Sequence, residues 1–227
     1  MRDQYPCFVV APQCPPEQTW SAVKGWTGPN AFEEEPTAPM KLLLGALDGL
    51  LKEFSVDQDR LYVTGLSMGG YGTWDLLTRQ PQRWAAAAPI CGGGDASRIA
   101  PAKGVALWAF HGVLDPTVPV VRTQEMIAAL EAAGGKPLYS EYPYVKHDSW
   151  NIAYGEPELL PWMFAQKRGG RRRLGPGGGC AFATALQSLP RRRADAVGPV
   201  VSQTVEGAAR AMGESEDDGS ERGGLFR

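Results

Sequence analysis

The chain has 227 residues, of which 43% are hydrophobic, with 25 acidic and 23 basic side chains and a net charge of −2. That is enough apolar material for one α/β domain with a core. The balanced charge speaks against nucleic acid or an anionic membrane as the main partner. No apolar run reaches the roughly 18 residues of a membrane span. No secretory leader is visible, because Met1-Arg2-Asp3-Gln4 runs straight into an apolar segment, so the chain as it stands reads as cytoplasmic.

Cys7-Phe8-Val9-Val10-Ala11-Pro12 reads as a buried strand ended by proline, with Cys7 as a small core residue. A loop follows over 13–36 and carries Trp20 and Trp26. Loops that leave strand ends carry function in α/β folds, so these tryptophans either line an aromatic substrate pocket or pack over the sheet edge. Residues 37–54 form a helix. Leu43, Leu47, Leu50, Leu51 and Phe54 make one apolar stripe, with Thr37 as N-cap and Pro39 in the first turn.

Leu61 to Thr64 are apolar or β-branched, as a buried strand requires, and Gly65-Leu66-Ser67-Met68-Gly69 follows directly. A G-x-S-x-G between a strand and a helix is a nucleophile elbow: the serine sits on a strained turn and its hydroxyl is lifted clear of the sheet. The N–H of the next residue, Met68, then points from a helix N-terminus at any oxyanion forming there. The helix covers 69–80 and is stopped by Pro81. Residues 84–90 are the next strand, ending in Cys91-Gly92-Gly93-Gly94-Asp95, a strand-end turn rather than a phosphate cradle, since no Lys-Ser/Thr follows. Further elements are a strand over 105–110 ending at His111-Gly112-Val113-Leu114-Asp115, a helix over 121–133 closed by Gly134-Gly135, a strand over 138–142 leading to Lys146-His147-Asp148-Ser149-Trp150, and a helix over 158–167. Strands alternating with helices mean an α/β fold, a mostly parallel sheet covered on both faces.

All seven Trp and all seven Tyr precede Gly169; beyond it come glycine, the arginine runs 171–173 and 191–193, and acidic residues 214–218. Residues 1–168 are therefore the expected domain, and 169–227 a disordered Gly/Arg-rich tail with no nucleic-acid role. Cys7, Cys14, Cys91 and Cys180 show no C-x-x-C spacing, so no zinc site is implied, and a Cys7–Cys14 bridge has no support.

A serine hydroxyl needs a base. The chain offers only two histidines. His147 follows the last strand, in the Ser, Asp, His order that a nucleophile elbow calls for. His111 reads as structural. Asp115 is the orienting acid; Asp148 is awkward beside its own neighbour's ring, Asp95 lies at an earlier strand end, and Asp57, Asp59 and Asp75 read as turn or solvated helix residues. Tyr71 and Trp150 flank the reactive groups; Trp150, on a loop, is the better substrate contact, while Tyr71 has packing as its other role. Such a relay needs no metal or organic cofactor.

These stretches resemble a known family. Val9-Val10-Ala11-Pro12-Gln13-Cys14-Pro15, residues 62–76, Ala109-Phe110-His111-Gly112 with Asp115, and His147-Asp148-Ser149-Trp150 are similar to bacterial carboxylesterases and predicted peptidases of the α/β-hydrolase superfamily, related to feruloyl esterases and polyhydroxyalkanoate depolymerases. The resemblance implies Ser67 as nucleophile, Asp115 as acid, His147 as base, Met68 as one oxyanion donor, and a small-molecule ester as substrate. It leaves ester against peptide open. It also implies strands before Phe8, one of them ending in a His-Gly turn whose loop gives a second oxyanion N–H, and that turn is not found ahead of Phe8. One of those strands would lie between the Cys7–Ala11 and Leu61–Thr64 strands, so the expectation is an amino-terminally truncated domain, active or inactive.

Overall fold

The computed structural model describes residues 5–169. The arginine runs and the rest of the expected tail, 170–227, lie outside the described residues. Four strands, β1 (Tyr62–Leu66), β2 (Ala86–Ile90), β3 (Ala106–Gly112) and β4 (Leu138–Tyr142), form one sheet in the order β1-β2-β3-β4. Every neighbouring pair is parallel. Helices link them: α1 (Ala38–Glu53) precedes β1, α2 (Met68–Arg79) joins β1 to β2, and α3 (Val121–Ala132) joins β3 to β4. Two short helices, α4 (Trp150–Ala153) and α5 (Leu159–Phe164), follow β4.

The period-two alternation of strand side chains sorts the core into two layers. Ala87, Leu107 and Ala109 face a cluster with Trp74, Leu77, Met126 and Leu130, contributed by α2 and α3. Ala86, Ala88, Ile90, Trp108 and Phe110 face the other way, onto Ala153, Leu159, Trp162 and Met163 of α4 and α5. This is the parallel sheet covered on both faces that the sequence pattern implies.

The capping of α1 follows the sequence reading. Thr37 accepts a hydrogen bond from Met40 N at 3.3 Å, and proline stands in the first turn. Its leucine stripe is only half-buried, and Phe54 remains 40% exposed; Pro39 and Met40 are the residues that α1 buries.

Three expectations are corrected. The Cys7–Pro12 run is not a strand: it is exposed, with Phe8 64% and Val9 78% accessible, and Phe8 rests on Phe54 instead. A strand needs a partner to take its hydrogen bonds, and among the described residues β1 pairs only with β2. Cys7 is accordingly exposed rather than in the core, and it and Cys14 are free thiols.

The third correction concerns Asp75, which is fully buried. Residues 70–77 of α2 are buried on every side, because the helix is sandwiched between the sheet and the chain that precedes α1. Asp75 Oδ1 lies 2.8 Å from Arg79 Nε, one helical turn on. Burial pushes the Asp75 carboxyl above the ordinary carboxylate range, with the Arg79 guanidinium pulling it back. A folded-state pKa above the unfolded one means that the folded chain holds the proton more tightly. The contribution of Asp75 is therefore most favourable below the ordinary carboxylate pKa and is lost as pH rises through the raised folded value. Arg79→Met strands the carboxylate and is expected to cost about 3–5 kcal/mol at neutral pH. The loss shrinks towards about pH 4, where the acid can be neutral. Denaturant unfolding at both pH values, beside the Asp75→Asn/Arg79→Met double variant, checks the sign.

Candidate active site

Ser67 stands between β1 and α2 with φ 52° and ψ −116°, a conformation that only glycine adopts freely. Its N–H donates to the Ile90 carbonyl at 3.0 Å, which ties the turn to the end of β2. The glycines around it divide into two kinds. A Cβ on Gly65 would overlap the Gly69 carbonyl, and one on Gly70 would stand 2.5 Å from the Ile90 carbonyl. A Cβ on Gly69 would meet nothing within 4 Å. The tight positions are therefore Gly65 and Gly70, not the second glycine of the motif.

Three strand ends deliver three side chains to one point. Ser67 follows β1, Asp115 lies in the turn after β3, and His147 lies in the turn after β4. Gly112 makes the last approach possible, since a Cβ there would run into the carbonyls of Val145 and Lys146. Ser67 Oγ is 2.8 Å from His147 Nε2, and His147 Nδ1 is 2.7 Å from Asp115 Oδ2. Asp115 Oδ1 accepts from the backbone N–H groups of Thr117 and Val118, each at 2.9 Å. The carboxylate accepts at Nδ1, so the proton of the neutral ring sits there and Nε2 is free to take one from Ser67. The Asp115 side chain is sealed from solvent and that of His147 is 21% exposed, so the imidazole is partly open to solvent while its carboxylate partner stays dry.

Met68 is the first residue of α2, directly after Ser67, and its N–H has no acceptor within the helix, as at any helix N-terminus.

The aromatic residues separate on inspection. Trp150 sits edge-on to His147, ring centroids 5.4 Å apart, and is half-buried. Trp20 packs against the large core cluster and against Gly72 of α2, the packing side of its two readings. Tyr71 is fully buried and donates to the Trp26 carbonyl at 2.9 Å. Burial pushes its hydroxyl up to about 12. Tyr71 therefore props Trp26, which meets it edge-on and belongs with Phe32 and Val118 to a small cluster beside the Asp115 turn. Asp95 is engaged elsewhere, accepting from Phe32 N and from Ser97.

Two residues near the site were not singled out as functional from the sequence. Cys91, at the end of β2, has φ 40° and is fully buried. Burial pushes its thiol up to about 12. Its sulfur, a carboxylate oxygen of Asp115 and a ring nitrogen of His147 lie within 4.8 Å of one another. The Asp115–His147 hydrogen bond occupies Oδ2 and Nδ1, so the thiol reads as a neutral packing neighbour of the relay. The other residue is His111, whose Nε2 is 3.3 Å from Asp115 Oδ2. No periodicity signals it; only its place at a strand end does.

Comparison with known proteins agrees with this architecture. Residues 37–103 match the model of the prolyl oligopeptidase family. The crystal structure of a thermostable esterase is 38% identical, with a TM-score of 0.67 over 74% of this chain and 46% of that one. A bifunctional acetylxylan esterase/xylanase, XynS20E, of Neocallimastix patriciarum is 27% identical over 92 residues, 40% of this chain and 14% of that protein. The chain thus spans less than half the length of either relative.

Proposed function

Because the chain has the α/β-hydrolase fold, with a serine, a histidine and an aspartate joined at its strand ends, we propose that it is a serine hydrolase of carboxylic esters. The observation that carries this is the unbroken run from Ser67 Oγ through His147 to Asp115, at 2.8 and 2.7 Å, with the serine on a strained backbone. Ser67 Oγ attacks the ester carbonyl while His147 Nε2 takes its proton. The tetrahedral oxyanion faces the Met68 N–H. Collapse expels the alcohol, protonated by His147, and leaves an acyl group on Ser67. Water, activated by the same imidazole, then releases the acid. Asp115 keeps its charge throughout and stabilises the imidazolium.

The likeness to a thermostable esterase, and to a relative named as an acetylxylan esterase, supports ester over amide. The match of 37–103 to the prolyl oligopeptidase family favours a second reading, cleavage of short peptides by the same three residues. A panel of short-chain p-nitrophenyl esters, feruloyl esters and proline-containing peptide amides separates them. Esters turning over while the amides stay at background supports the first reading. The reverse order would replace it with the second, and background on every substrate would leave the relay without turnover.

A further inference from the structure

The hydrogen bonds around His111 fix where its protons sit. The ring lies in β3 with no exposed surface. Its Nε2 faces two oxygens, the Val118 carbonyl at 2.9 Å and Asp115 Oδ2 at 3.3 Å. A carbonyl and an ionised carboxylate only accept, so Nε2 carries a hydrogen. Nδ1 lies 2.7 Å from the Thr123 hydroxyl, whose one hydrogen has a second claimant in the Gly92 carbonyl, to which it donates at 2.6 Å. A neutral ring with its hydrogen on Nε2 keeps that donor on its acceptors and takes the Thr123 hydrogen at Nδ1 at the expense of the Gly92 carbonyl. Burial, which lowers the pKa of His111, favours that neutral form. The charged groups that act on the ring are Asp115 and His147; Val118 and Thr123 offer only neutral partners.

We propose that His111 is a positioning residue for Asp115: its Nε2–H, bonded to the Val118 carbonyl, also faces Oδ2 at 3.3 Å beside His147 Nδ1–H and helps hold the carboxylate in place. This rests on the reading of Ser67, His147 and Asp115 as an esterase relay. Oδ1 is already held by two backbone N–H groups. With His111 on Oδ2, the carboxylate cannot turn away from His147.

The test uses two amides that differ in reach. A glutamine amide N–H₂ extends to where Nε2 stood; that of asparagine extends only to the position of Nδ1. His111→Asn is expected to lower kcat about 10–100-fold, as loss of an outer hydrogen-bond partner does, with KM changed little. The acid limb of its kcat/KM profile moves to higher pH, because an unshared Asp115 holds the His147 proton more firmly. His111→Gln restores most of kcat and returns the acid limb towards wild type. A merely structural ring predicts two equally impaired variants with an unmoved acid limb, and that result overturns the proposal.

An independent readout needs no turnover. The chain has only two histidines, so ¹⁵N-labelled imidazole NMR of the full chain at neutral pH resolves both rings. The expected result is opposite tautomers, hydrogen on Nε2 in His111 and on Nδ1 in His147. Hydrogen on Nδ1 of His111 overturns the proposal whether or not the protein cleaves esters, and even if neither variant folds. Absent turnover with the expected tautomers counts against the esterase reading alone.

Discussion

Ser67→Ala is expected to lower ester turnover by on the order of 10³-fold or more, down to what binding and the Met68 N–H alone can supply. The hydroxyl is the only group removed, and it is the one bonded to His147 Nε2, at 2.8 Å. The fold should not suffer. Ser67 holds a positive φ, a strain of order 1–3 kcal/mol in residues with a side chain. Ser67→Gly should therefore be as inactive as Ser67→Ala yet more stable than wild type by about 1 kcal/mol. Parallel assays of p-nitrophenyl acetate hydrolysis and denaturant unfolding check both halves. A Ser67→Ala protein that turns over at the wild-type rate removes the serine from the chemistry.

Asp115→Asn is expected to cost about 10⁴-fold in kcat, the scale seen when a relay acid becomes an amide. The local geometry says why. Oδ1 accepts from Thr117 N and Val118 N, so the amide oxygen of an asparagine takes that place and its N–H₂ takes that of Oδ2. The N–H₂ then faces His147 Nδ1 as a donor and forces the ring hydrogen onto Nε2, where it points at Ser67 and blocks proton transfer. The fold stays intact, because both backbone N–H groups keep their acceptor and the His111 Nε2–H, which loses Oδ2, keeps the Val118 carbonyl. Single-turnover acylation, followed as p-nitrophenol release, reads the chemical step. A variant within a few-fold of wild type would mean that Asp115 does not set the tautomer.

The elbow and the order of elements were legible because their signals are local. Gly65-Leu66-Ser67-Met68-Gly69 follows an apolar strand and opens a helix, and the structure has β1 and α2 there. The strand ends at 112 and 142 each precede a turn, and those turns bring Asp115 and His147 to Ser67. What escaped depends on distant partners. The Cys7–Pro12 run has the composition of a strand, but a strand exists only where a neighbouring edge takes its hydrogen bonds. Asp75 looks solvated in sequence because a charge on a helix usually is. Its burial follows from the loop over 13–36 covering α2, and the one local hint was Arg79 four residues on. His111 shows its role only once Val118 and Thr123, seven and twelve residues away, close around its ring. The aromatic residues illustrate the same point: Tyr71 sits one turn from Ser67, yet it is fully buried and its ring and hydroxyl are engaged by Trp26.

The central claim is that Ser67 is a nucleophile activated by His147. Its most direct measurement is intact-mass and peptide mapping after treatment of the full chain with a fluorophosphonate, beside Ser67→Ala and His147→Ala. The account predicts one adduct, on the peptide that contains Ser67, absent from Ser67→Ala and strongly slowed in His147→Ala. A folded wild-type chain that takes up no label, or label that persists in Ser67→Ala, would contradict it.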